Sequence, residues 1–142
     1  MDGDDRIHGG AIRCIRRVSL CGRAKNARST VTQTIILTAG SEIDAGAVTY
    51  RLYEYLGTCE AEDDQATVLV TFQTGAGVPL GEATIGPVTS DHFRNKGGLL
   101  RAVTGTVPRE TRRVVVNVIM TRLSGSYNDG SADNLVFELV RR

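Results

Sequence analysis

The sequence predicts an all-β protein, an antiparallel sandwich or barrel. Three observations carry that expectation. From residue 31 onward, seven short runs rich in Val, Ile and Thr follow one another. Each is bounded by Gly, Pro, Asn or Asp, the residues that punctuate strands. The best of the runs alternate apolar and polar residues at a period of two, the pattern of a half-buried strand, and little of the stretch reads at helical period.

The runs appear in the following order. "VTQTIILTA" (31–39) mixes Thr with β-branched residues, which suit a pleated surface. "AVTYRLYEYLG" (47–57) alternates through Val48, Tyr50 and Leu52, with a slip of register expected between Tyr53 and Leu56. "QATVLVTFQTG" (65–75) puts Val68, Val70 and Phe72 on one face and Thr67, Leu69 and Thr71 on the other. "VPLGEATIGPV" (78–88) follows Gly-Ala-Gly and stops at Gly86-Pro87. "LLRAVTGTVP" (99–108), "RRVVVNVIMTRL" (112–123) and "ADNLVFELV" (132–140) complete the set. "FQTGAGVPLG" reads as a hairpin with Gly75 and Gly77 in its loop, where glycine takes positive φ at little cost. "VPRETRRVVV" reads as a second tight connection, opened by Pro108. Residues 1–30 fit poorly, because Ile12, Cys14 and Ile15 cannot share one face of a strand. The expected organisation is an atypical, poorly ordered basic segment over 1–25 and a sandwich domain over 26–142.

A chain of 142 residues suits one domain and buries a core without needing a staple. Seventeen basic residues against sixteen acidic ones make no case for nucleic acid as a partner. The charge is uneven, however. Residues 6–28 carry Arg6, Arg13, Arg16, Arg17, Arg23, Lys25 and Arg28 with no acid among them. That run reads either as an arm for an acidic partner or as a solvated terminus. Cys14, Cys21 and Cys59 lack the spacing of a zinc site. No apolar run approaches the ~20 residues of a membrane-spanning helix. The start "MDGDDRIHGG" is not followed by the apolar stretch of a secretory signal in the chain as given.

No catalytic constellation stands out, and the expectation is a non-enzyme. His8 and His92 are the two histidines, and neither belongs to a nucleophile–base motif. Glu60, Glu62, Asp63 and Asp64 are neighbours in one acidic loop (58–66), whereas a glycosidase needs two carboxylates facing each other across a cleft. Calcium is the stronger chemistry, since it takes six to eight hard oxygen ligands. Asn128, Asp129 and Asp133 offer oxygens beside the last strand, and Asp63 and Asp64 add two more if the fold brings their loop close. The alternative is that Asn128-Asp129-Gly130 simply makes a turn, a role those residues fill well.

Four segments, "AEDDQATVLVTF", "LGEATIGPVTSDHF", "GTVPRETRRVVVNVIMTR" and "SGSYNDGSADNLVFEL", occur in that order. Together they resemble a bacterial β-sandwich domain of the galactose-binding-like superfamily, over roughly residues 26–140, with "YNDGSADNL" the sharpest piece. The resemblance implies a jelly roll of two antiparallel sheets, found as an accessory module in secreted or cell-surface proteins. It implies a glycan or cell-surface polysaccharide as ligand, with protein contacts as the alternative. In related carbohydrate-binding modules an Asp of the last strand helps hold a structural calcium ion, and Asp133 stands at the matching position. Two departures matter. The family's first strands look shortened here, and Ser131 and the Thr58-Cys59-Glu60 stretch stand where the family often has Tyr and Gly-Tyr.

Sugar recognition usually stacks an exposed aromatic ring on a pyranose face. The chain has four Tyr, three Phe and no Trp, too few for a flat aromatic platform. Tyr50 falls at an apolar-face position and reads as core. Tyr53 and Tyr55, which flank Glu54, and Tyr127 are the candidate ligand aromatics, each with a packing role as its alternative.

Overall fold

The computed structural model describes residues 11–16, 28–58, 65–88, 99–121 and 130–142. The strands are β1 (Ala11–Arg16), β2 (Arg28–Ile36), β3 (Val48–Thr58), β4 (Gln65–Gln73), β5 (Pro79–Val88), β6 (Leu99–Thr106), β7 (Arg113–Thr121) and β8 (Gly130–Arg141). One short helix, α1 (Gly40–Asp44), lies between β2 and β3. The strands form two four-stranded sheets, ordered β1-β8-β3-β6 and β2-β7-β4-β5. Every pairing is antiparallel. Strands β1·β8, β2·β7, β3·β6 and β4·β5 pair in nested order, as a long hairpin rolled on itself does.

The core lies between the sheets and follows the alternation of each strand. On β4, Val68, Val70 and Phe72 are buried, while Thr67, Leu69 and Thr71 are only half-buried. On β7, Val114, Val116, Val118 and Met120 are buried, alternating with half-buried neighbours. The facing sheet contributes Val48 and Leu52 from β3 and Leu135, Phe137 and Leu139 from β8. Burying each such side chain is worth roughly 1.5–3 kcal/mol. Tyr50 joins this face, its ring centroid 4.9 Å from that of Phe72 and 6.3 Å from that of Phe137. Ile43 of α1 is fully buried and closes one end of the core together with Leu37 and Val107.

Seven strands are legible in the sequence, and the described residues add β1 to them. Its register explains why it hides. Ile12 and Cys14 stand opposite Leu139 and Phe137, whereas Ile15 stands opposite Val136 on the other parity. Apolar residues on both parities erase the alternation that marks a half-buried strand. The hairpin between β4 and β5 forms as expected, but only one of its glycines needs positive φ. Gly77 has φ +86, and its N–H donates to the Thr74 carbonyl at 2.9 Å. At the other predicted connection, the Thr111 hydroxyl donates to the Pro108 carbonyl at 2.6 Å.

The slip expected on β3 falls instead on its partner. Tyr53 pairs with Val136 and Tyr55 with Asp133, so Asn134 and Leu135 of β8 together face Glu54. Such a bulge inserts one residue and reverses parity beyond it. Leu135 lies in the core, and without the bulge Asp133, two residues before it, would share its parity. With it, Asp133 becomes the register partner of Tyr55.

Candidate functional site

The outward face of β3 carries the most suggestive chemistry among the described residues. Strand alternation sends Val48, Tyr50 and Leu52 inward and Thr49, Arg51 and Tyr53 outward. Tyr53 is half-buried, flanked in register by Val136 on β8 and Ala102 on β6. Val136 is only 8% exposed although it belongs to the outer face, so the floor beside the ring is apolar. The Arg51 guanidinium carbon lies 5.5 Å from the Tyr53 ring centroid, within cation–π range.

A shallow depression continues from this pair along the sheet. Its lining includes Thr49, Arg51, Thr104, Thr106, Val140 and Arg142. Thr104 and Thr106 stand opposite Arg51 and Thr49 on β6. The Arg142 guanidinium donates to the Thr106 hydroxyl at 2.8 Å, and the Arg142 backbone N–H donates to the Ala47 carbonyl at 2.8 Å. The Thr49 hydroxyl donates to the Val140 carbonyl at 3.3 Å. Glu138 is the register partner of Arg51, but it is buried and does not line the depression. The walls are therefore rich in hydrogen-bond donors and carry two guanidinium groups, one of which lies over the Tyr53 ring.

The sequence-predicted residues divide between described and undescribed positions. Tyr53 stands on the outer face, and Tyr50 packs in the core. Tyr55 and Asp133 are brought together as register partners. Tyr127, Asp129, Asp63 and Asp64 lie outside the described residues. Among the described residues, no three His, Cys, Asp or Glu side chains gather into a group able to hold a metal ion. Arg51, Thr104, Thr106 and Arg142 escaped the sequence reading. Thr49, Arg51 and Tyr53 do alternate visibly in "TYRLY", but nothing in the sequence links them to Arg142.

The most polarised carboxylate lies elsewhere, where α1 meets the turn between β6 and β7. Asp44 accepts from both terminal nitrogens of Arg112, at 3.0 and 2.5 Å, and from the Glu110 backbone N–H at 2.8 Å. The Arg112 hydrogen bonds, and then that of the Glu110 N–H, hold the Asp44 carboxyl below its ordinary pKa. This exposed cluster ties α1 to the turn between β6 and β7.

No family model and no curated protein sequence matches the chain. Its fold does match solved structures. The infectious bursal disease virus VP2 subviral particle superposes with a TM-score of 0.66 at 8% identity, over 92% of this chain and 32% of that one. The enzymatically active domain of bacteriophage CBA120 tailspike protein 4 superposes with a TM-score of 0.56 at 13% identity, over 93% of this chain and 20% of that one. At such identities the likeness is one of fold: a β-sandwich spanning a third or less of these larger chains. No helix among the described residues is long and apolar enough to cross a membrane.

Proposed function

We propose that the chain is a non-catalytic carbohydrate-binding accessory module on a galactose-binding-like sandwich, working outside the cell or at its surface. The observation that carries the reading is the outward Tyr53 ring, beside a depression lined by threonine hydroxyls and guanidinium groups. An aromatic face next to convergent polar groups is how pyranose rings are gripped. The resemblance of "YNDGSADNL" to galactose-binding-like modules supports the same reading. The test is a glycan array followed by affinity measurement. Binding should appear in the wild type and fall about tenfold or more in Tyr53→Ala, the loss of one stacked ring. Undiminished binding in Tyr53→Ala would move the site elsewhere.

A structural calcium ion belongs to the proposal. Asp133, the register partner of Tyr55 on β8, is its proposed ligand, with Asp129, Asp63 and Asp64 as further candidates from the sequence. An ion bound only by the native state raises the melting temperature. Calcium should raise it, EDTA should lower it, and Asp133→Ala should remove the difference. An unchanged melt in all three conditions would leave 128–130 as a turn.

A second reading, a structural module making protein contacts, draws on the outer face of the other sheet. There Thr30, Thr32, Thr34 and Ile36 of β2 are exposed, with Ile36 at 57%. They stand beside half-buried Val115, Asn117 and Ile119 of β7. Silence on the array together with self-association in sedimentation would favour that reading.

A further inference from the structure

We propose that the depression beside Tyr53 selects an acidic glycan, one whose sugar rings carry carboxylates of the uronic-acid type. The inference rests on the carbohydrate reading above and names its ligand class. Arg51 and Arg142 are both exposed, and both line the depression. Arg142 is anchored on Thr106, two residues along β6 from Thr104, the register partner of Arg51. Two residues of strand span about 7 Å. The Arg51 guanidinium leans further off, over Tyr53, so the two cations are spread along the run of the sheet, at the scale of an oligosaccharide rather than of a single ion. Guanidinium only donates, and its planar fork matches a carboxylate with two parallel hydrogen bonds.

The groups around these cations favour the same ligand. Among the described residues Arg51 forms no ion pair with a carboxylate, and its guanidinium lies over the Tyr53 ring. Glu138, the nearest acid in register, is 8% exposed and absent from the lining. Among the described residues of the lining, none is a carboxylate that could accept from the hydroxyls of a neutral sugar. A ligand rich in acceptors and negative charge suits this wall.

The test is titration calorimetry at low salt with three probes: oligogalacturonate, the same oligomer fully methyl-esterified, and polyglutamate. Oligogalacturonate should bind about tenfold more tightly than its neutral ester, a preference that rising salt erodes. Arg51→Gln with Arg142→Gln should abolish the preference while leaving the melting temperature unchanged. Equal binding of the acid and its ester would overturn the acidic class and leave the carbohydrate reading standing. Binding of neither oligomer, with the wild-type array also silent, would remove both. Polyglutamate binding as tightly as oligogalacturonate would reduce the site to a bare cationic patch. Tighter binding of a sulfated neutral oligosaccharide, run as a fourth arm, would overturn the assignment of the carboxylate.

Discussion

Single residues set the geometry of β3, and Gly105 shows how. It is the register partner of Tyr50 on β6. A Cβ built on Gly105 would stand 2.7 Å from the Tyr50 hydroxyl oxygen and 2.8 Å from Cε1 and Cζ of the same ring. The missing side chain lets the Tyr50 ring lie flat over the neighbouring strand and reach Phe72 and Phe137. Gly105→Ala therefore forces the ring off its aromatic partners, at a cost of about 1–3 kcal/mol. Urea denaturation measures it. Tyr50→Phe should not relieve the clash, because the ring carbons stay in place, whereas Tyr50→Leu should shrink the penalty of Gly105→Ala. Additive costs in the Leu double variant would show that the glycine is needed for something other than this ring. The same strand turns its next odd positions, Arg51 and Tyr53, outward. Core and candidate site are thus separated by one step of the pleat.

Between elements, Arg112 is the junction. Its backbone N–H donates to the Gln73 carbonyl, its carbonyl accepts from the Leu37 N–H, each at 2.8 Å, and its guanidinium clasps Asp44. It thereby ties the end of β4, the chain after β2, and α1 to the start of β7. A carboxyl whose folded pKa lies below its unfolded value of about 3.9 contributes stability that is present above that value. The contribution drains away as pH falls through the lowered folded value. Asp44→Asn should thus be less stable than wild type at neutral pH, and the gap should close on acidification below about pH 4. Urea midpoints across pH measure it, and a gap that persists in acid would show that the contact does not depend on charge. The elements themselves were legible where one face is buried and the other is not. Strands β4 and β7 alternate cleanly for that reason. Strand β1 was illegible because it pairs at an edge with apolar residues on both parities. The helix α1 is a single turn, too short to show a period. The bulge opposite Glu54 has no local signature, so the sequence named Asp133 and Tyr55 separately but not as partners. Arg142 joins Arg51 only because β8 lies beside β3, a pairing of strands roughly 90 residues apart that no local pattern announces.

At the scale of the whole molecule, the two sheets have one core between them. Neither sheet has another apolar layer to lean on among the described residues. Val70, Phe72 and Val116 of one pack against Leu52, Phe137 and Leu139 of the other. Burial of that shared layer is what offsets the entropy of ordering both sheets. The nested pairing binds them further, since, apart from the β4–β5 hairpin, adjacent strands in each sheet are far apart in sequence, as β1 is from β8 and β2 from β7. Loss of one sheet's inner face should therefore unfold both sheets together rather than one alone. Leu52 tests this, being fully buried at the centre of β3. Leu52→Ala should cost about 2–5 kcal/mol, the range for a buried leucine that leaves a cavity. Hydrogen exchange then separates cooperative from local effects. The slowest amides of β7 and β4, in the opposite sheet, should lose protection by the same free energy as those of β3 and β8. Loss confined to β3, β6 and β8 would mean that the sheets open independently. In that case the Tyr53 face would sit on a layer able to loosen without the rest, and its ligand affinity would fall in Leu52→Ala even where the other sheet stays closed.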